Sequence, residues 1–229
     1  MRKLSVSFTQ NEIRFGIALL LFQQLLLPTL LLSLGDILSI SMTASGLNLV
    51  FFSVNLLSAV LVFHKFIWKS LEISGAGFFR ALTCAGIGYL GYYVAGTLLG
   101  TLIYGFFPDF VNLNDASIGA MTQQDFAVMV VGTVILVPPA EELFFRGLIF
   151  GNIYNRKPVV AYLVSSMLFS LVHILGYWNY YSPIQFTLAF LQYIPAGIAL
   201  GWAYAKADTI FAPILLHTLV NLLAILPMR

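Results

Sequence analysis

Charged side chains are scarce in this 229-residue sequence, with 11 Lys and Arg and 9 Asp and Glu, or 9% of the chain. An ordinary soluble domain carries about 25%, so the chain cannot cover a water-facing surface of its size, and a soluble globular protein is excluded. Cysteine is scarcer still. Cys84 stands alone, which excludes a disulfide-stapled secreted module. High charge with low hydrophobicity, the signature of disorder, is also missing, since 60% of residues are hydrophobic and the mean hydropathy is +0.93. The formal net charge of +2 is scattered rather than gathered into a basic patch, so no nucleic-acid partner is expected. There is no low-complexity tract, no inverted repeat of the kind found in many transporters, and no dividing linker. The expectation is an all-α, polytopic transmembrane helical bundle, a single membrane domain over residues 1–229 with the lipid bilayer as its solvent.

A helix needs roughly 20 mostly apolar residues to cross the hydrocarbon core, and about seven stretches qualify. They run from about Phe15 to Leu34, Ile40 to Phe63, Leu82 to Phe106, Phe126 to Tyr154, Pro158 to Leu175, Ile184 to Ala205 and Ile210 to Leu226. None shows the period-2 alternation of a barrel strand, so all are helices. Arg2, Lys3 and Arg14 precede the first; Lys65, Lys69 and Arg80 follow the second; Arg156 and Lys157 follow the fourth, and Lys206 the sixth. The alternate connections, at about 35–39, 107–125 and 176–183, hold no Lys or Arg. Positive charge is retained on the cytoplasmic side, so the N-terminus is expected inside and the C-terminus outside. The first stretch is too long for a secretory signal and lacks a small-x-small cleavage site, so it reads as a retained helix. The segment from His64 to Arg80, containing FIWKSLEI, reads either as an interfacial amphipathic helix or as a linker.

Ionisable groups inside spans are costly and are functional candidates. The fourth span contains PPAEELFFR, with Glu141, Glu142 and Arg146; the fifth contains FSLVH, with Phe169 and His173; the seventh contains HTLVN, with His217 and Asn221. Glu142 and Arg146 are i and i+4 with the acid first, the favourable order for an ion pair on one helix face. Glu141 lies about 100° around the helix and is left as the reactive carboxylate. Pro138 and Pro139 remove backbone donors and are expected to kink or interrupt the helix. His217 and Asn221, also i and i+4, point the same way. At about 1.5 Å per residue, Glu141 and His173 lie on the order of 20 Å from the cytoplasmic ends of their helices, and His217 and Asn221 about 10–17 Å. One layer of the membrane can hold all four.

A carboxylate with a histidine can position and deprotonate water, and a second histidine with an asparagine amide can donate to an oxyanion. Together they describe water attacking an amide carbonyl. A zinc-like site with Glu141, His173 and His217 as ligands uses the same residue types, and a buried structural charge network is the bland alternative. No GxSxG context appears and Cys84 has no histidine in its own span, so covalent catalysis has little support. Two other features read as packing: Gly197 and Gly201 form a small-xxx-small face, while Trp178, Tyr180 and Tyr181 form an interfacial aromatic belt. His64, beside Lys65 at the end of its span, needs no special role.

EELFFR, FSLVH and HTLVN have the forms EExxxR, FxxxH and HxxxN, in that order on separate late helices. This resembles the CPBP family of intramembrane proteases, which includes type II CAAX prenyl proteases and bacterial proteins labelled bacteriocin self-immunity or Abi proteins. The resemblance covers roughly Phe126 to Leu226, expected to be the catalytic core. It implies an endopeptidase acting on a membrane-associated peptide or protein, with Glu141 and His173 activating water, His217 and Asn221 stabilising the oxyanion, and Glu142 and Arg146 in support. Both metal-dependent and glutamate-dependent, metal-free mechanisms are associated with the family, and the expectation here is no cofactor. The resemblance further implies a multi-pass protein of a bacterial plasma membrane. A non-catalytic membrane scaffold or bacteriocin-immunity protein is the alternative from another class, and a transporter or proton relay is a third.

Overall fold

A computed structural model describes the backbone of residues 3–74 and 77–229, and the side chains of these residues except 72–74. Arg2, used above for orientation, lies outside the described residues, as does part of the amphipathic segment around 75 and 76. Among the described residues every regular element is helical. The long apolar helices are α1 (Gln10–Leu25), α2 (Leu27–Ile37), α3 (Ala44–Val62), α5 (Phe78–Phe106), α7 (Phe126–Tyr154), α8 (Pro158–Ile174), α9 (Pro183–Ala207) and α10 (Phe211–Ile225). Two shorter ones, α4 (His64–Ser74) and α6 (Leu113–Gln124), lie between them.

The first span departs from the expected straight helix. Pro28 has no N–H to donate to the carbonyl one turn back, and α1 and α2 meet there at 55°. Six helices are long and apolar enough to cross a membrane by themselves, and the bent pair supplies a seventh. Glu12 near the start of α1 accepts a 2.8 Å hydrogen bond from the Phe66 N–H just beyond the end of α3, so α1 starts where the antiparallel α3 finishes. The protein is therefore a multi-pass membrane protein. Its outer surface carries side chains that water would not tolerate, such as Phe79 at 81% exposure and Phe106 at 78%. Lipid covers such groups without cost.

The basic segments gather on one face. Leu4 N–H donates to Asn155 Oδ1 and Ser5 N–H to Asp208 Oδ1, each at 2.8 Å, tying the N-terminal segment to the connections after α7 and α9. On the opposite face Leu113 N–H donates to Tyr181 Oη at 2.6 Å, joining two of the connections that lack Lys and Arg. The segment 107–125, read from sequence as a loop, contains α6, whose first turn is capped by the Asn112 side chain. Tyr181 is likewise tied to this helix rather than standing in an aromatic belt, while Trp178 and Tyr180 are exposed.

Glycine decides how closely α8 and α9 approach. A Cβ at Gly197 would sit 2.7 Å from Ser166 Cβ and 2.8 Å from its Cα, and one at Gly201 would sit 3.0 Å from the Phe150 ring. The small-residue face is thus a packing face. Gly197→Ala must move backbone, and is expected to cost about 1–3 kcal/mol, measurable as a lower melting temperature of the purified protein in detergent. A variant that melts with the wild type would refute the contact.

Candidate active site

Helix α7 carries both glutamates, and its irregular backbone follows from its prolines. Neither Pro138 nor Pro139 can donate, yet the helix does not break as expected. It passes through wider π-helical turns at Val131–Leu136 and Leu143–Phe150, flanking a regular stretch, Val137–Glu142. Val137 N–H reaches back to Gly132 O in the i to i−5 register. In that register Thr133 O would need a donor from Pro138, which has none. Asn221 supplies it from α10, its Nδ2 standing 2.8 Å from Thr133 O.

The two glutamates have opposite environments. Glu142 is fully buried, and its Oε1 accepts from Arg146 Nη1 at 3.1 Å and from His217 Nδ1 at 2.8 Å. Arg146, also fully buried, donates from Nη2 to Gly197 O at 3.2 Å and lies 4.4 Å over the Phe169 ring. Four helices meet in this network, the fourth through Phe169 of the FxxxH motif, which serves it as a cation–π partner. The expected Glu142–Arg146 pair is present. Its tie to His217 was not foreseen.

Glu141 is 27% exposed, and its Oε2 has no protein hydrogen-bond partner. Its nearest basic atom is His173 Nε2 at 3.9 Å, too long for a direct hydrogen bond. His173 Nδ1 lies 2.7 Å from Phe169 O. A carbonyl only accepts, so Nδ1 carries the proton and Nε2 presents its lone pair toward Glu141. The imidazole stacks on Tyr193, with ring centroids 4.5 Å apart. Tyr193 Oη donates to Asp115 Oδ1 at 2.7 Å and accepts from Asn114 Nδ2 at 3.0 Å, so one tyrosine holds both the histidine ring and α6. Sequence reading missed this residue. The signal was the polar pair Gln192–Tyr193 inside an apolar span.

Tyr193→Phe keeps the stack and removes both bonds to α6. Limited proteolysis is expected to cut within Leu113–Gln124 faster in this variant, with the melting temperature little changed. Equal cutting rates would show that α6 is held by other contacts.

His217 lines the same cavity as Glu141, His173 and Asn221, so the structure brings the four expected site residues to one wall system. This cavity has a volume of about 520 Å³ and aromatic sides that include Tyr92, Tyr93 and Tyr104. A second cavity of about 240 Å³ lies toward α1 and α3, and Glu141 and His173 line both. Among the described residues no three His, Cys, Asp or Glu side chains converge as a metal-binding group. His217 turns Nδ1 to Glu142 instead. The residues as arranged do not fit the three-ligand zinc site that their types allow.

Comparisons with known proteins bear on the same region. Residues 123–223 match the model of a family described as type II CAAX prenyl endopeptidase Rce1-like. YdiL of Bacillus subtilis (strain 168), whose name marks it as a candidate membrane peptidase, is 31% identical over 151 residues, covering 64% of this chain and 51% of that one. The UPF0177 protein YxdF of Lactococcus lactis subsp. lactis (strain IL1403) is 39% identical over 88 residues, covering 38% of this chain and 43% of that one. The chain thus spans about half the length of the curated relatives it matches. No solved structure matches it.

Proposed function

We propose, for a chain that belongs through residues 123–223 to the CPBP family of intramembrane proteases, that it hydrolyses a peptide bond of a membrane-associated peptide or protein at Glu141 and His173. The observation that carries this reading is the 3.9 Å gap between Glu141 Oε2 and His173 Nε2. A water oxygen about 2.8 Å from each atom fits that gap and donates one hydrogen to the carboxylate and one to the lone pair. Both partners are acceptors, which is what deprotonating a water requires. The water oxygen then attacks the amide carbonyl carbon, its proton passes to the carboxylate, and collapse of the intermediate breaks the C–N bond as that proton moves to the leaving nitrogen.

The oxyanion formed on the way would be met by His217 and Asn221. His217 Nδ1 is committed to Glu142, so donation from Nε2 requires the imidazolium, in which both nitrogens carry protons. One Asn221 amide proton is spent on Thr133 O, and the other is available. Glu142 and Arg146 act through His217 as a rigid support, not on the substrate. The larger cavity, where Tyr92 and Tyr93 give an apolar wall, takes the peptide. No metal is needed for any of these steps.

The test is mass spectrometry of peptides released from membranes of cells expressing wild-type protein or Glu141→Gln at matched levels. Fragments that vanish with the variant, and that purified wild-type protein regenerates in a metal chelator, are the expected result. Identical peptide profiles would overturn the reading and leave a non-catalytic scaffold or immunity role. Fragments that vanish on chelation would overturn its metal-free part.

A further inference from the structure

Hydrolysis inside a membrane consumes one water per bond cut, and lipid supplies none. The larger cavity cannot easily serve both reactants, because a bound peptide would fill the space in front of Glu141. The smaller cavity reaches the same pair of residues from another side. Nine of its nineteen lining residues carry a polar side-chain group. Polar groups shielded from bulk solvent persist where they are satisfied by protein or by water. Here protein does not satisfy all of them: Asn55 Oδ1 and Glu141 Oε2 are both shielded from bulk solvent and both lack a hydrogen-bond partner. Buried water bonds to such orphaned groups, and a cavity of about 240 Å³ holds several molecules at about 30 Å³ each.

We propose that this smaller cavity, walled by Gln24, Asn48, Asn55, Asn114 and Ser117, is an internal water store that feeds the gap between Glu141 and His173 while the peptide occupies the larger cavity. Asn55 is its positioning residue: it holds water in line with Glu141 and does not touch substrate. The kinetic part of this inference rests on the protease reading above, whereas the presence of water does not.

The experiment therefore has two arms on the full chain in lipid nanodiscs. In the first, X-ray-generated hydroxyl radicals, which form from water at its site, report on two buried methionines. Met121 lines the smaller cavity and is 8% exposed; Met129 is 1% exposed and lines neither cavity. Met121 is expected to oxidise well ahead of Met129, and Asn55→Leu to remove the difference by drying the cavity. In the second, Asn55→Leu is expected to lower kcat about tenfold or more, with KM within about twofold, because water supply and not peptide binding is lost. Asn55→Ser, which keeps a hydroxyl for water, restores turnover, a rescue that a packing role would not give. Equal protection of the two methionines overturns the water store whether or not any peptide is cleaved. Oxidised Met121 with unchanged kcat in Asn55→Leu overturns the supply role, and a wild type without peptidase activity overturns the protease reading alone.

Discussion

Arg146→Met is expected to destabilise the protein by about 3–5 kcal/mol, the usual consequence of removing one partner from a buried ion pair. The guanidinium is fully buried and holds three things together: Glu142 at 3.1 Å, Gly197 O at 3.2 Å and the Phe169 ring at 4.4 Å. Methionine replaces the volume but leaves the Glu142 carboxylate with His217 as its one remaining partner. The double variant Arg146→Met/Glu142→Leu removes both charges, and apolar replacement of a buried pair is often neutral in energy. It is expected to regain most of the lost stability, because apolar side chains then fill the space of the pair and no unpaired charge is left buried. Chemical or thermal unfolding of the purified variants in detergent measures the first effect. A double variant no more stable than Arg146→Met would mean that the helices need the charges themselves and not a filled interior.

Much of this arrangement was legible in the sequence where one helix contains the whole relation. The span from Phe126 to Tyr154 has the expected limits, and Glu142 with Arg146 forms the i, i+4 pair that spacing dictates. The family resemblance supplied the grouping of three motifs, which spacing alone left open between water activation, metal ligation and a structural network. What the sequence hid are relations between helices. Nothing within HTLVN says that His217 turns to a glutamate 75 positions earlier. The orphaned Thr133 carbonyl could have been foreseen from Pro138, but not that Asn221 would meet it. Two misreadings had signals that local rules supply. Pro28 marks the bend in the first span, and Asn112, as an N-cap, marks the start of α6. Helix α6 was missed because LNDASIGAMTQQ is too polar for a span, and polarity was taken to mean a loop.

Glu141→Gln and Glu142→Gln should fail in opposite ways, although the residues are neighbours. Glu141 is 27% exposed and its Oε2 makes no protein hydrogen bond, so the amide breaks no bond within the protein and is expected to cost the fold little. It does remove the acceptor that, in the proposed mechanism, takes a proton from water. General base catalysis contributes about 10²- to 10⁴-fold, and a fall of that size in kcat is expected with the melting temperature held. Glu142 is 0% exposed and its one partnered oxygen answers both Arg146 and His217. Its amide neutralises the carboxylate and leaves a buried guanidinium uncompensated, a loss of about 3–5 kcal/mol, and turnover falls because the folded fraction falls. Measuring kcat per folded molecule separates the cases: the value collapses for Glu141→Gln and falls far less for Glu142→Gln. Full turnover in a well-folded Glu141→Gln would remove the reactive carboxylate from the mechanism. A Glu142→Gln protein as stable as wild type would show instead that the buried network is not what holds α7, α9 and α10 in register.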